Sequence, residues 1–312
     1  MAGPRASVVV PSRTRRDSLA RCLGALGAQT IASELEVLVV QDGSDVDLAP
    51  VVAAAGARLV VQERAGPGAA RNRGAAEARA PVVCFTDDDC EPAREWAERL
   101  VVALERGAAA ILGHTVNADR DDVFGTTSQL VVNALAAHSR AHRRPFGPSS
   151  NFACRRDVFR QVPFEPAYRF AGGDRAWCAR MQAAGYTLEW EPEAVVFHHQ
   201  TLTARRFWRQ HVAWGRGSYR FRRRSGTPLR LADAHFSVEL LRQAREEGTT
   251  VAALALLSQV ATSAGYLREA VAELASAKSS RRRESDRASV NSPETSSRPR
   301  ATTARRSSSR SR

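Results

Sequence analysis

Lysine is almost missing from this chain of 312 residues: one of its 46 basic side chains is Lys, at Lys278. Nothing before that position can form a Schiff base through a side-chain amine. The P-loop route to nucleotide phosphates, which needs its own lysine, is closed as well. Cysteine is also scarce. Cys22, Cys84, Cys90, Cys154 and Cys178 are odd in number and contain no CxxC pair, so zinc ribbons and disulfide frameworks are not expected. A reduced, cytoplasmic compartment suits that usage. The first residues carry no signal-type apolar region, and Val251–Leu267, free of formal charge, is interrupted by Ser258, Gln259, Thr262 and Ser263. It reads as an amphipathic or buried helix, too short and Ala-rich for a membrane span.

Charge of one sign is what the chain has in excess. The net charge is +13, but residues 278–312 contribute +8 and residues 205–230 contribute +9, which leaves −4 on everything else. A mildly acidic body thus carries two basic appendages, and no specific nucleic-acid partner is expected. Hydrophobic residues make up 43% of the chain, enough for a large core.

Apolar runs alternate with helical stripes along the first half. Strands are expected at 7–10, 37–40, 58–62 and 81–86, with helices at 17–28, 46–55 and 69–79 between them. Continuous apolar strands in a β-α-β series indicate a mostly parallel sheet with helices on both faces. Further on, the pattern predicts a helix from 92 to 106 and another from 122 to 142. Strands are expected at 108–115 and 149–155, a helix at 174–184, and two strands at 186–190 and 194–198. Helices at 203–222, 233–247 and 250–275 follow. This divides the chain into a catalytic region (1–202), a basic and amphipathic helical extension (203–277) and a disordered Ser/Arg-rich tail (278–312).

Three polar clusters sit at strand carboxyl ends, where such sheets bind ligands. Asp87-Asp88-Asp89 follows the strand ending at Thr86; three adjacent carboxylates need a counter-charge, which Mg²⁺ or Mn²⁺ can supply. An acidic turn capping the next helix is the plainer alternative. Asp42-Gly43-Ser44 ends the second strand and can bind a base or ribose, or serve as an ordinary turn. Gly66-Pro67-Gly68 leads into a helix that places Arg71 one turn in, suited to an anion.

Taken in order, Val8-Val9-Val10-Pro11-Ser12, Asp42-Gly43-Ser44, Gly68-Ala69-Ala70-Arg71-Asn72-Arg73-Gly74 and Asp87-Asp88-Asp89 resemble the family-2 nucleotide-sugar glycosyltransferases of the GT-A (Rossmann-like) fold. The resemblance implies a metal-dependent, inverting transfer from a nucleoside-diphosphate sugar to a glycan or lipid-linked acceptor. Pro11, Ser12, Asp42, Gly68, Arg71, Asp87 and Asp88 would line the donor site, and Asp89 would hold the metal, with His198 as a second ligand. Asp174 would be the general base, although Gly173 stands where the family commonly has Glu, and Gln41 where it often has a second Asp. Asp174 could instead simply cap its helix. Asn151 and Trp177 are expected on the acceptor side. Sugar-nucleotide pyrophosphorylases are a rival class, but they use a Gly-rich, Arg/Lys-containing loop where this chain has Pro11-Ser12-Arg13. A non-enzymatic basic protein bound to membrane or nucleic acid is the third. The Trp- and Arg-bearing helix after residue 203 would either close the cleft or rest on an anionic membrane at its cytoplasmic face.

Overall fold

The computed structural model describes residues 3–168, 171–226 and 234–290. The valines near the N-terminus form β1 (Ala6–Ser12), every residue of which is buried. Helix α1 (Arg16–Gly27) turns Leu19, Cys22, Leu23 and Leu26 inward, as their spacing requires. Strand β2 (Leu35–Asp42), helix α2 (Ala49–Ala54), strand β3 (Arg58–Gln62), helix α3 (Pro67–Glu77) and strand β4 (Val82–Thr86) complete the alternating series. β1 pairs in parallel with both β2 and β4, and β2 with β3. Their carboxyl ends therefore share one edge, which gathers Ser12, Asp42 and the acids after Thr86.

The second half adds β5 (Cys90–Pro92), α4 (Trp96–Glu105), β6 (Ala110–Asn117), α5 (Val123–Ala141), β7 (Asn151–Arg155), α6 (Arg156–Gln161), α7 (Gly173–Ala183) and β8 (Leu188–His198). All eight strands join one sheet in the order β3-β2-β1-β4-β7-β6-β8-β5. β7 runs antiparallel to β4 and β6, and β5 antiparallel to β8, so the sheet is mixed. Two expectations are corrected here. Residues 90–92 form a strand, and the helix expected from 92 begins at Trp96. The two strands expected at 186–190 and 194–198 are one: the register passes from Gly113↔Glu191 to His114↔Val195, so the residues around Pro192 bulge out without ending the strand.

Alternate residues of β1 and β2 feed two separate cores, as a pleated strand dictates. Val8, Val10 and Val39 pack with Leu19, Leu26, Trp96 and Leu100 of α1 and α4. Val9, Leu38 and Val40 pack on the other face with Phe85, Phe152, Phe159, Phe164 and Trp177. Gly74 of α3 lies against that sheet so closely that a Cβ there would stand 2.3 Å from Val9 Cγ1. This accounts for the last glycine of the Gly68–Gly74 motif.

Three helices follow, α8 (Ala204–Ser225), α9 (Ala234–Glu246) and α10 (Thr249–Val290). The residues up to Ala270 form one compact unit and those from Val271 a second. Within the first unit α8 and α10 cross at glycines: a Cβ on Gly215 would lie 1.9 Å from the Thr262 carbonyl oxygen. Arg216 and Arg220 donate to Glu269 at 2.6 Å each, pinning the same crossing. Helix α10 continues to Val290, past the point at 278 where a disordered tail is expected from composition. No Gly or Pro occurs between 278 and 290, and Arg, Ala and Glu favour helix, which explains the continuation. The rest of that tail, 291–312, lies outside the described residues, as do 227–230 of the basic stretch.

Candidate active site

Asp42 ends β2 and is spent on the backbone beside it. Its Oδ1 accepts from Ala65 N at 2.7 Å and from Gln62 Nε2 at 2.8 Å, while Oδ2 accepts from Gly66 N at 2.9 Å. The carboxylate thus fixes the turn that launches α3 from Gly66 (φ +96°) and Pro67. Gly43, at φ +56°, allows the tight turn after it, where a Cβ would meet Arg64. Gly68 sits in the first turn of α3. Asn72 clamps the chain at Phe164 with two reciprocal bonds of 2.9 Å. Pro11 and Ser12 lie at the buried end of β1.

The three acids after β4 diverge. Asp87 pairs with Arg71, whose buried guanidinium stands 5.8 Å from the centre of the Phe164 ring. Asp88 is 1% exposed, accepts from Ser12 Oγ at 2.7 Å and meets Arg15. Asp89 meets Arg15 through Oδ2, and its Oδ1 lies 3.6 Å from His198 Nε2. His198 arrives because β8 pairs Cys90 with His198 across the short strand β5. Burial pushes the Asp88 carboxyl up to about 6, against the pull of Arg15 and Ser12. Burial works the same way on Asp89, but His198 and Arg15 overcome it and hold that carboxyl at about 2.

Oxygen and nitrogen donors converge here. The ligand atoms of Asp89, Cys90 and His198 lie within 4.8 Å of one another. The buried Oδ1 of Asp88 has no aligned hydrogen bond. Burial, reinforced by Asp87 and Asp89, lifts the Cys90 thiol well above its ordinary range, and a hard divalent cation prefers the oxygen and imidazole donors beside it. A carboxylate with an imidazole, flanked by a second buried carboxylate, fits a divalent cation such as Mn²⁺.

Asp174 stands in the first turn of α7, after Gly172, which takes the N-cap position at φ +86°. Asp174 is therefore not the cap. Burial raises its pKa, opposed by the Arg71 guanidinium and by hydrogen bonds from Ser149. Ser149 comes from the segment just before β7, next to the end of β4, because Asn151 pairs with Thr86. Arg71 thus bears on two acids, pairing with Asp87 and opposing the upward shift of Asp174.

Asn151 and Trp177 are corrected from acceptor contacts to parts of the framework. Asn151 is fully buried; its Oδ1 accepts from Trp96 Nε1 at 2.8 Å, and its Nδ2 donates to the carbonyls of His114 and Ala194. It has no group left for a sugar. Trp177 is 2% exposed, donates to the Val162 carbonyl at 2.8 Å and packs against Phe152 and Phe164. Arg15 went unnoticed in the sequence, although its position three residues after Ser12, in the loop leaving β1, was the available signal.

Comparison with known proteins settles the family. The profile for Glycosyl transferase family 2 matches residues 7–162. The chain belongs to glycosyl transferase family 2. This glycosyltransferase is 28% identical over 211 residues to glycosyltransferase AglE of Haloferax volcanii, a match covering 62% of this chain and 67% of that one. It is 30% identical over 213 residues to the pre-mycofactocin glycosyltransferase of Mycobacterium tuberculosis, covering 62% of this chain and 43% of that one. Among solved structures, it resembles the mannosyltransferase PcManGT of Pyrobaculum calidifontis in complex with GDP-Man and Mn²⁺. That likeness has a TM-score of 0.57 at 18% identity and covers 86% of this chain and 87% of the other. Glucosyl-3-phosphoglycerate synthase of Mycobacterium tuberculosis, in complex with Mn²⁺, UDP and phosphoglyceric acid, gives 0.56 at 21% identity over 73% and 80%. The family-2 enzyme therefore has the GT-A fold.

Proposed function

We propose that this glycosyltransferase moves a sugar from a nucleoside-diphosphate donor to an acceptor hydroxyl, with inversion, using a divalent metal held by Asp89 and His198. The observation that carries this reading is the convergence of Ser12, Arg71, Asp87, Asp88, Asp89 and His198 at one sheet edge, with Asp174 close enough to feel the Arg71 charge. The presence of Mn²⁺ with GDP-Man or UDP in the two solved neighbours supports it. His198 favours Mn²⁺ over Mg²⁺, because Mg²⁺ prefers an all-oxygen shell. When bound, the metal offsets negative charge on the departing diphosphate.

Asp174 does the proton work. It accepts the acceptor's hydroxyl proton as that oxygen bonds to the anomeric carbon and the bond to the diphosphate oxygen breaks. Arg71 opposes the burial that raises the Asp174 pKa and is itself paired with Asp87, so the base and the donor side share one positioning cation. Pro11, Ser12, Asp42 and Gly68 shape the nucleotide end, with Asp42 acting through the loop it pins. Asp89→Ala should abolish Mn²⁺-dependent donor binding in calorimetry, and retained metal-dependent binding would refute this assignment.

For the acceptor, a glycan or lipid-linked hydroxyl near an anionic membrane suits the C-terminal helices. Helix α10 exposes Leu256, Leu257, Val260 and Leu267, and α8 exposes Trp208. An 18-residue window within Thr249–Ala275 has a mean hydropathy of 1.4 and only a third of it is buried, which fits an interfacial helix. The arginines Arg205, Arg206 and Arg209 are available for headgroup phosphates, whereas Arg216 and Arg220 are paired internally.

A further inference from the structure

We propose that Arg15 is a built-in counter-cation of the acid pair Asp88 and Asp89, and that it competes with the divalent metal for them. The proposal rests on the metal reading above and names the residue that sets how tightly the free enzyme holds the ion.

Three adjacent carboxylates cannot remain ionised without cations nearby. Asp87 pairs with Arg71. Asp88 and Asp89 share Arg15, which reaches Asp89 with Nη1 and Asp88 with Nη2. The two acids are 2% and 14% exposed, but the arginine side chain is 52% exposed. It covers them from the solvent side and belongs to neither core. It donates a hydrogen bond to Asp89 Oδ2, whereas its ion pair with Asp88 Oδ1 is not an aligned hydrogen bond.

The position of Arg15 makes it removable. It precedes α1 with φ −97° and ψ 75° and makes no side-chain capping bond. Beside it opens a hollow of 570 Å³ lined by Thr14, Arg16, Asp17, Ser18 and Val46, which gives the side chain room away from the acids. Asp89 offers its second oxygen to His198, so an ion held there stands against the guanidinium across a single carboxylate. Two cations that close repel, and each weakens the other's hold. The free enzyme thus keeps its acids neutralised, and the metal enters by displacing Arg15.

Titrating Mn²⁺ alone into the full-length protein, by calorimetry or by loss of the free-ion paramagnetic signal, tests this. Arg15→Gln should lower the Kd for Mn²⁺ by about tenfold, the effect of losing one charge-assisted contact. Arg16→Gln removes the same charge from the same loop; Arg16 bonds only to the Asp47 carbonyl among the described contacts, so this variant should stay within about twofold of the parent. In EDTA, Arg15→Gln should also melt below the parent, and Mn²⁺ should raise its Tm by more than it raises the parent's. Equal or weaker Mn²⁺ binding by Arg15→Gln would overturn the role of Arg15 while leaving the metal reading intact. An equal gain in Arg16→Gln would overturn it too, by reducing the effect to net charge. If neither parent nor variant bound Mn²⁺, the metal reading itself would fall and the competition with it.

Discussion

At the residue scale the proposed chemistry depends on how Arg71 divides its charge. It is bound to Asp87 and lowers the pKa of Asp174 against a larger upward push from burial. Asp174 must be ionised to accept a proton, so kcat should rise with pH as it deprotonates. The acid limb should then lie above the ordinary aspartate range. Arg71→Gln removes the opposing cation and should move that limb to still higher pH; a limb that stays put would separate Arg71 from the base. Asp174→Asn should lower kcat by about 10²–10⁴-fold. Donor affinity measured by calorimetry should remain within about twofold of the parent. The gathering of Ser12, Asp42 and the three acids at one sheet edge was legible from the chain, because buried strands ending in acids or glycine turns leave few places for those residues to go. Asn151 and Trp177 were misread for a related reason. Polarity and aromaticity mark a residue as consequential, but they do not say whether it faces the cleft or ties the sheet together.

At the element scale, α8 braces the segment that leads into Asp174. A Cβ on Gly217 would fall 2.7 Å from Ala171 Cβ, and one on Gly172 would fall 2.9 Å from the Gly217 carbonyl oxygen. Gly217→Ala should therefore press on the start of α7, costing about 1–3 kcal/mol in urea unfolding. It should lower kcat while sparing donor binding, which is proposed for the ends of β1, β2 and β4. A stability loss with unchanged kcat would show that the contact carries no positioning role. The glycines of α8 were not read as a packing signal, since a helix crossing is set by a partner distant in sequence. Strand β8 shows the same limit: two strands were expected, and only the pairing with β6 reveals one strand with a bulge. The carboxyl-edge strands, by contrast, were readable because their apolar runs are continuous.

At the scale of the whole molecule, the basic charge resolves into distinct uses. Part of it is internal, in Arg71, Arg216 and Arg220, and part is exposed on α8. Deleting 278–312 should leave donor binding within about twofold of the parent, because no donor-site residue lies there. Replacing Arg205, Arg206 and Arg209 together with Gln should reduce co-sedimentation with anionic phosphatidylglycerol vesicles several-fold at low salt. Unchanged vesicle binding would move the enzyme off the membrane without touching its chemistry.

The most direct measurement is calorimetric titration of UDP-, GDP- and dTDP-sugars into the parent protein and Asp89→Ala, each with Mn²⁺ and with EDTA. At least one donor should bind the parent only with Mn²⁺, and none should bind Asp89→Ala in either condition. Failure of every donor to bind the parent with Mn²⁺, or equal binding in EDTA, would contradict a metal-dependent nucleotide-sugar site at this edge of the sheet.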